Sequence, residues 1–205
     1  MSNQKFASYK KVPLVPYLIL KKLAEDESED AQNIWKLLKY TSEDALRKPS
    51  LTYTEKMDIV WSPSKTTSER TQDTFNVFLK PLVPSALNTD MAQTQLRIYR
   101  YETLAETQME AILLYEIDVI VNESSCMVED EEGQLLEKTD VLESLLLEVL
   151  SGYDIGVGFN YMRFDRVRGG ACLSILNINN SKSTYGRSFH LALKYLDNSK
   201  GGGCS

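Results

Sequence analysis

The chain has 205 residues, 42% of them hydrophobic and 25% charged, with a formal net charge of -6. That balance fits a globular chain with a sizeable core, either one large domain or one domain with an extension. It argues against a general grip on nucleic-acid phosphates, and no apolar run approaches the roughly 20 residues of a membrane-spanning helix.

Residues 1–30 mix prolines with the acidic run AEDESED, and predict a mobile or partner-dependent arm holding a short helix near Tyr17–Leu23. Pro13 and Pro16 interrupt its apolar part and no small-residue cleavage site follows, so a secretory signal is not expected. AQNIWKLLKY then puts Ile34, Leu37 and Leu38 on one helical face with Trp35 beside it, in a helix ending near Tyr40. Thr52 and Glu55 have the spacing of a capping box, which predicts a short helix from Tyr53. Pro63 ends it, and the polar stretch 62–73 reads as a loop.

Strands dominate from there. Phe75, Val77 and Leu79 alternate before Pro81 and Pro84 break the pattern, and Leu96 and Ile98 alternate with Arg97 and Tyr99. The longest strand is Met109–Val121, with Leu113, Tyr115, Ile117, Val119 and Val121 on one face. Glu116 and Asp118 occupy the other, which predicts a face open to water or a partner. An acidic loop with a turn at Gly133 leads to the strongest helix, DVLESLLLEVLSG. Asp140 is its expected cap with Glu143 three residues on, Leu142, Leu145, Leu146, Val149 and Leu150 form its apolar stripe, and Gly152 ends it. VGFNYMRFDRV, ACLSILNIN and RSFHLALKYLD read as three further strands, and NSKGGGCS as a flexible tail. The expected layout is α+β: a mostly antiparallel sheet with one amphipathic helix packed on it and a helical N-terminal extension. In domain terms this is an arm at 1–30, a single domain at 31–197 with a helical lead-in at 31–61, and a tail at 198–205.

Candidate chemistry is sparse. Gly152, Gly156 and Gly158 follow a helix, so a phosphate there would meet the negative end of the helix dipole, and the spacing matches no phosphate loop. His190 is the only histidine and alternates with core positions of a strand, which predicts a packing or surface role. Cys126, Cys172 and Cys204 are widely spaced and odd in number, which fits neither a disulfide framework nor a zinc site. The EDEE run at 129–132 lacks the spaced ligands of a calcium loop and reads as a hairpin tip. No catalytic, cofactor or metal constellation emerges, so no enzyme is expected. The candidate subunit-interface residues are Glu116 and Asp118 on the long strand and the arginine cluster Arg163, Arg166 and Arg168.

Across YEIDVIV and TDVLESLLLEVLSGYDIGVGFNYMRFD the sequence resembles tailed-phage neck proteins, the tail terminators and head–tail connectors. The shared pattern is a long strand (Leu113–Val121), an acidic loop, an amphipathic helix (Val141–Leu150), a glycine (Gly152), an IGxG turn (Ile155–Gly158) and a strand ending in an aromatic (Tyr161–Phe164). A closing strand follows at Phe189–Tyr195, and IWKLLKYTSEDALRKPSLTYTEK is similar to the helical lead-in of such proteins. The resemblance spans about the last two thirds of the chain. It implies a virion protein assembled in the host cytoplasm, without cofactor or membrane. Six or twelve copies would close into a ring between portal, connector and tail proteins, and DNA would pass without sequence-specific binding. The acidic balance suits a channel along which DNA slides. The alternative is a non-viral, ferredoxin-like adaptor or binding domain.

Overall fold

The computed structural model describes residues 9–65, 75–81, 94–105, 110–154, 163–164, 173–177 and 184–196. A 3-10 turn at Tyr9–Leu14 leads into helices α1 (Val15–Glu25), α2 (Glu29–Lys39) and α3 (Tyr53–Asp58). Strands β1 (Val77–Phe78), β2 (Thr94–Ala105) and β3 (Glu110–Asn122) follow, then the small hairpin β4 (Met127–Glu129) and β5 (Leu135–Glu137). Helix α4 (Lys138–Leu150) and strands β6 (Arg163–Phe164), β7 (Leu173–Asn177) and β8 (Thr184–Leu196) complete the order. The main sheet runs β1-β2-β3-β8-β6, with β7 also paired to β8. Among the described strands only the β1–β2 pair is parallel, with one isolated parallel bridge from Val60 to Val77, so the α+β layout with a mostly antiparallel sheet is the one observed.

The alternation in β3 builds the core. Leu113, Tyr115, Ile117, Val119 and Val121 are fully buried, and Phe189, Leu191 and Leu193 of β8 continue the same layer. Helices α1, α2 and α4 cover this face, and α4 contributes Leu142, Leu146 and Leu150. The stripe on α4 is therefore the one its spacing predicts, and Gly152 follows it at φ 71, a left-handed turn that a side chain would strain. The start differs. The helix begins three residues early, at Lys138, and Asp140 does not cap it. With the helix starting at Lys138, Asp140 lies inside its first turn rather than ahead of it, and its carboxylate, like that of Glu143, pairs with Arg187 of β8. The Thr52–Glu55 capping box is formed as predicted.

The larger correction concerns residues 1–30. Val12, Val15, Ile19, Leu20 and Leu23 are at most 2% exposed and belong to the same cluster as the sheet. The Tyr115 hydroxyl donates to the Val12 carbonyl at 3.1 Å, which ties this segment to the central strand. From Val12 onward the expected arm is thus part of the domain, because its apolar spacing is needed to cover the sheet. Residues 1–8 lie outside the described residues, as does the tail at 198–205.

Buried cations hold the helical layer together. Trp35 Nε1 donates to Leu23 O at 2.8 Å and Lys56 Nζ to Ala24 O at 3.1 Å, so two side chains satisfy the last carbonyls of α1. Lys138 does the same for α2, donating to Tyr40 O at 3.2 Å. A cation at the negative end of a helix is favourable, but Lys138 is 0% exposed, and burial pushes its pKa down to about 8. The folded state then releases this proton before the unfolded chain does, near pH 10.4. Stability should therefore rise with pH through this window, by about 1–2 kcal/mol between roughly pH 7.5 and 9.5. Above about pH 10 the trend reverses, since burial also raises Tyr99, Tyr115 and Tyr185. Urea titrations of wild type and Lys138→Met across this range check the assignment. The variant should lose the rise, and an equal rise in both would exclude Lys138 as its source.

Candidate functional site

The second face of the sheet carries the titratable side chains. In the strand register Glu116 lies between Tyr99 of β2 and His190 of β8, and Asp118 between Arg97 and Ser188. Two rows of three polar residues therefore stand side by side at the centre of the sheet. They interact across the rows. Tyr99 Oη donates to Asp118 Oδ2 at 3.0 Å, and Ser188 Oγ donates to Glu116 Oε1 at 2.5 Å. His190 Nε2 lies 3.8 Å from Glu116 Oε1, and the Tyr101 ring stacks on His190 with centroids 4.7 Å apart.

Around Glu116 and Asp118 this face is largely covered, contrary to its sequence reading, although Tyr101 at its margin is exposed. Asp118 is 3% exposed and Ser188 2%, and the Glu116 side chain is 12% exposed. Alternation assigns a residue to a face; it does not say whether that face is covered. Glu116 and Asp118 consequently form an internal polar network rather than a free surface. The backbone of Arg163 pairs with Ala192 in β6. Arg166 and Arg168, with the glycines Gly156 and Gly158, lie outside the described residues, and so do Cys172 and Cys204.

The two carboxylates are pushed apart in acidity. Burial raises Asp118, with the charge of Glu116 adding to it, and outweighs the hydrogen bonds from Ser188 and Tyr99. Burial raises Glu116 too, but hydrogen bonds from His190, Ser188 and Tyr99 more than offset it, and its pKa is lowered. Neighbouring carboxylates of opposite tendency can hold a proton on one and charge on the other. Asp118 Oδ1 and Arg97 Nε, on directly paired residues, are buried without a hydrogen-bond partner. A network this deep fixes strand register, since a slip of one residue would send every member into the apolar layer.

Opposite signs follow for pH. A raised Asp118 contributes stability that is present below its unfolded value, about 3.9, and lost as pH rises through the folded one. A lowered Glu116 contributes stability present above about 4.3 and lost as pH falls. Relative to wild type, Asp118→Asn should gain in melting temperature from pH 3.5 to pH 7, and Glu116→Gln should lose over the same interval. Equal slopes for the two variants would contradict this division of the proton.

Among the described residues no group of three or more His, Cys, Asp and Glu side chains is placed to hold a metal ion. No described helix is long and apolar enough to cross a membrane. The EDEE run forms the expected hairpin tip. Asp130 Oδ1 accepts from the backbone of Glu132 and Gln134 at 2.9 and 2.7 Å, and Glu129 pairs with Arg47 at 3.1 Å, so these carboxylates build and anchor the turn. Compared with known families and with curated proteins, the chain has no significant match.

Sequence reasoning missed Arg97, Tyr99, Tyr101 and Ser188 as members of this network. Their spacing was visible, but the pairing register that aligns them with Glu116 and Asp118 is a long-range property.

Proposed function

We propose that this chain is a structural subunit of a tailed-phage neck, of the tail-terminator or head–tail connector kind. Copies close into a ring of six or twelve that joins capsid or portal to tail, and DNA passes through without sequence-specific contact. The observation that supports this reading is the β3–hairpin–α4–Gly152–β8 unit. Of the segments that carry the resemblance, the described ones pack together, with α4 on β3 and β8, and Gly152 takes the left-handed conformation that a helix-ending glycine needs. The hairpin tip supports a channel role, because Glu131 and Glu132 are exposed and like charge limits the sticking of passing DNA.

Native mass spectrometry of the concentrated protein tests this. The ring reading expects a species of six or twelve chain masses. A stable monomer or dimer at every concentration would favour the adaptor reading.

A further inference from the structure

We draw no further inference here: the strongest candidate, the exposed leucine pair Leu135 and Leu136 on the β4–β5 hairpin beside its acidic tip, is an unpartnered apolar patch, and nothing in the structure shows what covers it.

Discussion

Trp35→Ala should cost about 3–5 kcal/mol, as expected for emptying a fully buried aromatic site. Trp35 is 0% exposed and lies among α1, α2 and α3. Its loss removes more than volume. The Leu23 carbonyl loses its donor at the end of α1, and the buried Lys56 ammonium loses the aromatic face 6.0 Å away. Trp35→Phe separates these effects. It keeps most of the packing but leaves the carbonyl unpaired, and should cost roughly 1–3 kcal/mol. Urea denaturation followed by circular dichroism checks both, since only two tryptophans are present and removing one disturbs fluorescence. A loss under about 1 kcal/mol for alanine would mean that the helical layer is not held at this point.

Gly186→Ala should be nearly as severe, at about 3 kcal/mol, the upper end of ordinary overpacking. A Cβ at this position would stand 2.3 Å from the Val119 carbonyl oxygen and 3.1 Å from Ile120 Cα. Both obstacles are backbone, so no side-chain rotation relieves the clash. They belong to β3, whose pairing with β8 runs unbroken from Glu110↔Leu196 to Asn122↔Thr184. The damage should show as lost amide-exchange protection at Val119, Ile120 and Val121. Gly152→Ala is the control. At φ 71 it meets nothing within 4 Å, so only the left-handed backbone cost of roughly 1–2 kcal/mol applies. Equal protection in Gly186→Ala and wild type would show that β8 does not approach β3 so closely.

Local signals in the sequence were mostly reliable where the decision was local, the Asp140 cap being the exception because the helix starts ahead of it. The Thr52–Glu55 box, the α4 stripe, Gly152 and the alternation of β3 each depend on a few neighbouring residues, and each is present in the structure. The failures share a different cause. The prolines and charges near the N-terminus suggested an arm, yet Val15, Ile19 and Leu23 form a covering stripe whose purpose appears only once the sheet they cover is known. Glu116 and Asp118 looked solvent-facing because charge usually marks an exposed face. Their cross-strand neighbours Tyr99, Arg97, Ser188 and His190 satisfy enough of that polarity to permit burial. Lys138 escaped notice for the same reason, since its partner Tyr40 lies 98 residues away.

Negative-stain electron microscopy of the concentrated full chain, incubated with and without a purified portal assembly, tests the central claim most directly. The account predicts closed rings with a central hole wide enough to admit duplex DNA, of six or twelve copies, in solution or seated on the portal. Isolated small particles in both preparations, with no ring and no density added to the portal, would contradict it.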